Sequence, residues 1–358
     1  MKTNMLEKPK IFKNKENLPK DIKLKDALPG ALEEAKKNFF EVSPKETEGV
    51  WVYYPWKKMA IRIPSEDLYF KLRTSRNRNI ITTEEQKKYR GAAVGIAGLS
   101  VGSAVYSALI ATGGPKAIKL ADFDVIEITN LNRMRGTLPN VGTNKIEVAA
   151  KNIWELDPFA ELYLYENGVN RENIEKFILG GEAEPKLDIF IDEMDSLDLK
   201  AISRLIARQN QIPVLMATDN GDSIILDIER YDLEPERQIF HGLLGDVKIE
   251  DLKNLDKTAW LKLATKIVDP NYLTERMQDS LLEIGRTTGG VPQLGSTASL
   301  AGAAIAYVVR RIANGYEMPS RRYTLGLEEK FIPDYGNQEN IEARKKKTAE
   351  FISKFGKK

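Results

Sequence analysis

Cysteine is missing from all 358 residues. Its absence excludes disulfides, thiolate zinc sites and cysteine nucleophiles together. Charge of one sign is not in excess either, because 54 basic residues face 52 acidic ones for a formal net charge of +2. Without a basic stripe, nucleic acid is not an expected partner. No apolar run reaches the ~18 residues that a membrane span needs, and the longest weakly polar stretch, 298–309, reads as a buried helix. No membrane partner is expected. The opening Met1-Lys2-Thr3-Asn4 leads into lysine-rich sequence without an apolar core, so no secretory signal is read and the cytoplasm is the expected compartment. What remains is ordinary globular material, 42% hydrophobic and 30% charged, and long enough for one large domain with extensions or for two domains.

Three segments follow from the pattern. Residues 1–88 read as an N-terminal arm rich in Lys, Glu and Pro, ending in a hairpin over 51–64 and a polar helix over 82–89 with Thr83 as its cap. Packing of that hairpin on the core is the expected role of Trp51, Tyr53, Tyr54 and Trp56. Residues 89–330 alternate strand and helix: strands at 92–97, 117–121, 161–165, 187–191, 213–217 and 224–229, helices at 101–112, 143–156 and 197–209. This alternation predicts an α/β fold, a Rossmann-like, mostly parallel sheet flanked by helices, which binds ligands at the carboxyl ends of its strands. Helical segments at 259–267 and 272–284 interrupt the alternation, so an insertion at about 232–288 is expected to lie over the site. A small-residue helix at 296–313 and a late strand at 322–327 complete the sheet. Residues 331–358 form a charged tail, read as a solvated helix despite Phe351, Ile352 and Phe355 on one face.

Chemistry concentrates at strand ends. The run A-G-L-S-V-G-S (97–103) follows a strand and opens a helix, where free backbone N–H groups and the helix dipole favour an anion. Only Gly98 fits the first position of G-x-G-x-x-G, since Ser100 and Ser103 replace the other glycines and Gly102 is out of phase. A tight turn without ligand therefore stays open. Asp122 and Asp124 end the next strand, Asp122 standing 24 residues after Gly98, near the spacing at which a carboxylate meets a ribose. Together these two signals point to a nucleotide without separating NAD from ATP.

Three further elements separate them: T-N-L-N-R (129–133), Lys145 in G-T-N-K, and the strand-terminal D-E-M-D-S (192–196). The run D-F-D-V-I-E-I-T-N-L-N-R is similar to a stretch of the ThiF/MoeB family, within the ubiquitin-activating superfamily. The resemblance spans roughly residues 76–312, including a late G-G-V-P-Q-L-G (289–295). It implies that Asp122 and Asp124 bind the ATP ribose side, that Asn130, Arg133 and Lys145 meet the phosphates, and that Asp195 supports Mg²⁺ and catalysis. Arg78, in R-N-R-N-I-I, resembles the arginine that one subunit of a homodimer reaches into its neighbour's site. A carboxylate attacking the α-phosphate approaches another anion, so fixed cations along the triphosphate suit the chemistry. The implied reaction is ATP-dependent adenylation of a carboxylate, on a small acid or on the C-terminus of a small carrier protein.

Departures narrow that expectation. The family's zinc-binding cysteine pairs and the catalytic cysteine of ubiquitin activators are absent, which excludes a thioester step on this chain. Lys200 stands where many relatives carry arginine. An inactive nucleotide-binding scaffold and an NAD-dependent oxidoreductase are the competing readings. His241, the lone histidine, is expected to be a hydrogen-bonded residue near the sheet edge rather than an acid–base group.

Overall fold

The computed structural model describes residues 6–356, so the reading of Met1 to Asn4 lies outside the described residues, as do the last two residues of the tail. Four short strands build the N-terminal extension: β1 (Lys10–Phe12), β2 (Lys23–Asp26), β3 (Val50–Tyr54) and β4 (Met59–Ile63), ordered β1-β3-β4-β2. The expected hairpin is β3 and β4, turned through Pro55 and a left-handed Lys58. It buries Trp51, Val52 and Tyr54, and the Tyr54 hydroxyl donates to the Trp154 carbonyl at 3.2 Å. The aromatics thus pack the extension onto the main domain. The arm is more ordered than its composition predicts, because β1 and β2 pair with that hairpin and α1 (Leu28–Lys37) links β2 to it. After α2 (Glu66–Arg73), helix α3 (Thr83–Gly91) is capped one residue earlier than expected, by a Thr82/Glu85 capping box.

The main sheet has seven strands: β5 (Ala93–Ala97), β6 (Ala117–Ala121), β7 (Glu161–Tyr165), β8 (Ile189–Asp192), β9 (Val214–Asn220), β10 (Ser223–Glu229) and β11 (Arg321–Gly326). Their order is β11-β10-β9-β8-β5-β6-β7. From β9 to β7 every pair is parallel, whereas β10 runs antiparallel to both of its neighbours, β9 and β11. The chain moves one way from β5 to β6 and β7, then restarts on the other side with β8. That reversal opens a crevice at the carboxyl ends of β5 and β8. Every residue of β5 and β8 is buried, as central parallel strands covered on both faces require.

Helices α4 (Gly102–Ala111) and α5 (Lys145–Leu156) cover one face together with α10 (Gly295–Ala313), joining Leu109, Ile153 and Ile305 in one core. Gly302 permits the close α4–α10 crossing, since a Cβ there meets the Ala104 carbonyl. Helices α6 (Ile174–Leu179) and α7 (Leu197–Gln209) cover the other face. The insertion contributes α8 (Lys257–Val268) and α9 (Glu275–Glu283), and the chain ends with α11 (Glu328–Phe331) and α12 (Gln338–Gly356).

The tail corrects the expectation of a solvated helix. Phe351 and Phe355 are buried against Leu261, Met277 and Leu281 of the insertion, while Ile352 stays exposed. Two neighbouring rings one turn apart, tilted against each other, give α12 an apolar seam against which α9 packs. No helix among the described residues is long and apolar enough to cross a membrane.

Candidate active site

The crevice begins at the turn after β5. Gly98 has φ of +91°, and a Cβ there collides with the backbone carbonyl of Glu193 in the loop after β8. Only glycine lets the two loops approach so closely. Beyond it the N–H groups of Ser100 and Val101 have no hydrogen-bond partner among the described residues. Gly102 then starts α4, so unpaired amides and a helix N-terminus face the same opening.

Asp122, at the end of β6, steadies this turn: its Oδ2 accepts from Leu99 N at 2.7 Å and its Oδ1 from Asp124 N at 2.9 Å. Burial pushes its carboxyl above the usual range, against the pull of Lys145. Lys145, at the start of α5, places Nζ 2.7 Å from Asp124 and 3.9 Å from Asp122. Asn130 is buried in the loop, and its Oδ1 accepts from Glu127 N at 3.0 Å. Arg133 leaves that loop. Its Nε donates to Ser100 Oγ at 2.9 Å, and its Nη1 donates to Thr129 O and Asn132 Oδ1. Burial lowers its pKa, opposed by the charges of Asp219 and Asp195.

Asp195 is exposed in the loop between β8 and α7. Its carbonyl accepts from Trp260 Nε1 at 2.8 Å, so the insertion does lean on this loop. Underneath, Asp192 is fully buried between Lys200, at 3.1 Å, and Arg204. Burial alone raises that carboxyl, yet the two cations hold it below the usual range. Arg204 also bonds Glu229 at 2.6 Å and stacks on Phe240 at 4.1 Å. Lys200 therefore anchors the strand end.

One site residue escaped the sequence reading. Asp219, near the end of β9, is 4% exposed, and neither of its carboxylate oxygens has a hydrogen-bond partner. Burial raises its pKa to about 6, partly offset by Arg133 and by a Gln293 side chain that approaches without reaching hydrogen-bond geometry. In A-T-D-N-G-D an aspartate reads as a turn former, and only the strand register reveals its direction. Ile224 pairs directly with it and belongs with Ala217 to the core beneath α4 and α10.

Two residues lie elsewhere. Arg78 is exposed, its Nη1 donating to Asn38 O at 3.0 Å and its guanidinium 5.1 Å from the Phe40 ring. It does not enter the crevice of its own chain. His241 sits 3.0 Å from buried Asp227, which Arg322 also pairs at 2.7 Å, and its Nδ1 lies 2.8 Å from Arg237. Asp227 pairs with Met216 on β9, several residues from the ligand edge. The hydrogen-bonded reading of this histidine fits the geometry.

Among curated proteins, an uncharacterized protein of Mycobacterium tuberculosis (strain CDC 1551 / Oshkosh) is 38% identical over 316 residues, covering 86% of this chain and 41% of the relative. The tRNA threonylcarbamoyladenosine dehydratase of Escherichia coli (strain K12) is 34% identical over 132 residues, or 37% of this chain and 46% of the relative. The chain thus spans less than half the length of either. Among solved structures, the E. coli dehydratase with AMP aligns over 68% of this chain and 95% of its own at 19% identity and a TM-score of 0.49. E. coli MccB with ATP aligns over 87% and 80% at 18% identity and a TM-score of 0.47. A family model described as ThiF family matches residues 74–324, well over half of the sequence, and the chain belongs to that family.

Proposed function

We propose that this protein adenylates a carboxylate with ATP at the β5–β8 crevice, acting in the cytoplasm as a homodimer. One observation supports the reading above all: the unpaired amides after Gly98, the Asp122–Lys145 pair, Arg133 and Asp195 share one edge of the sheet. Asp122 and Asp124 suit the ribose side, and the amides with Arg133 and Lys145 suit the phosphates. In the reaction a carboxylate oxygen of the substrate attacks the α-phosphorus. The bond from that phosphorus to the bridging oxygen of the β-phosphate breaks, and pyrophosphate leaves with the electron pair. No proton moves if the acid is ionised, so no general base is needed, and the remoteness of His241 fits.

No group of three or more His, Cys, Asp or Glu able to hold a metal ion occurs among the described residues. Asp195 alone suits Mg²⁺, which takes one or two carboxylates and otherwise keeps phosphate oxygens and water. That ion would supply positive charge opposite the phosphates. The substrate class is a small acid or a carrier-protein C-terminus. With no cysteine in the chain, the product on this protein is the acyl adenylate.

Exchange of labelled pyrophosphate into ATP, driven by candidate acids, tests the proposal. Arg133→Ala and Asp195→Asn are each expected to lower exchange on the order of a hundredfold or more, the usual loss on removing one fixed electrostatic contact. Tight ATP binding without exchange for any acid would favour the inactive scaffold instead.

A further inference from the structure

Asp219 has no task in the adenylation reading, yet it stands at the same edge of the sheet. An ionised carboxylate is an acceptor only, and each oxygen needs donors when removed from water. Asp219 has none on either oxygen. Arg133 is the cation that acts on it, but Nε and Nη1 of Arg133 are already committed to Ser100, Thr129 and Asn132. In the proposed complex the rest of that guanidinium turns to phosphate. Asp219 then lacks a donor beside a newly arrived anion.

Strand order decides what supplies one. Neighbouring strands lie roughly 4.8 Å apart, and β9 is separated from β6 by β8 and β5, so Asp219 stands roughly 14 Å across the edge from Asp122. With ribose at β6 and phosphates at β5, the adenine amine and the ribose hydroxyls lie at the wrong end. The acyl substrate, arriving beyond β8, is the component that reaches β9.

Resting on the adenylation reading, we infer that Asp219 is the recognition site for a cationic amine on the acid being activated, an amino acid or an amine-bearing residue. Gln293 comes from an exposed segment, residues 289–291 and 294 being exposed. Turning its side chain aside opens the approach, and the amine replaces the incomplete Gln293 contact. A carboxylate here also discriminates against plain acids, which bring a second negative charge and no donor.

The test uses the full chain, Mg-ATP, and pyrophosphate exchange with two matched series: amino acids and amine-bearing peptides, and their deaminated or N-acetylated counterparts. The wild type is expected to prefer the amine series by on the order of tenfold or more, as for loss of a charged hydrogen bond. Asp219→Asn, checked for folding by thermal melting, should raise KM for the amine series by a similar factor and leave KM for ATP within about twofold. Equal exchange with both series, exchange with deaminated acids alone, or a D219N effect confined to the KM for ATP overturns this inference and leaves adenylation standing. No exchange with either series removes adenylation and this inference with it.

Discussion

Burying an ionised carboxylate without donors destabilises a fold, and Asp219 shows the sign of that effect. Its pKa rises from 3.8 to about 6 through burial, so the folded state favours the protonated form. Stability is unaffected below the unfolded pKa and is lost as pH rises through the folded one. By pH 8 the loss amounts to about 2–3 kcal/mol. Asp219→Asn should therefore raise the melting temperature of the ligand-free protein at pH 8, and the gain should vanish near pH 4. Equal shifts at both pH values would show that the carboxylate was already satisfied. The contrast with Gly98 and Asp122 explains what the sequence could reveal. Those two belong to one strand-turn-helix-strand unit, where local spacing fixes relative position. Asp219 acquires meaning only through pairing with β10 and the approach of Gln293, which no local pattern encodes.

Elements of the main sheet were legible because parallel strands are short, mostly apolar runs between turn residues, as in 117–121 inside the sheet and 161–165 at its edge, which match the observed strands residue for residue. Strands β1 and β2 were not legible. Their residues are exposed or half-buried, and backbone pairing with the hairpin holds them where side-chain pattern gives no signal. The tail failed for a different reason: its apolar face looked unpartnered until α9 was placed beside it. Truncating a buried aromatic typically costs about 3–5 kcal/mol. Phe351→Ala should thus destabilise the insertion, and hydrogen exchange should show faster opening of both α12 and α9 with little change in β5 or β6. Uniform loss of protection across the sheet would instead mean that insertion and domain unfold together.

At the scale of the whole molecule, the proposed catalytic arginine and the proposed metal ligand occupy different surfaces of one chain. Exposed Phe39 and Ile80 lie close in sequence to Phe40 and Arg78, a composition suited to a subunit interface. If Arg78 serves the neighbouring crevice, mixing Arg78→Ala with Asp195→Asn subunits should restore activity neither has alone. Half the dimers in an equal mixture would be hybrids with one intact crevice each, so recovery should approach about a quarter of wild type. No recovery after verified exchange of subunits would place Arg78 outside the chemistry. The contact at Gly98 has a consequence for this assembly. Because that residue presses against the Glu193 carbonyl, the anion-facing turn and the Asp195 loop are wedged into a single rigid body when the chain folds. In the proposed function, nucleotide capture then incurs little ordering entropy on that side, and induced fit falls to segments outside the wedge, such as the exposed 289–291 stretch.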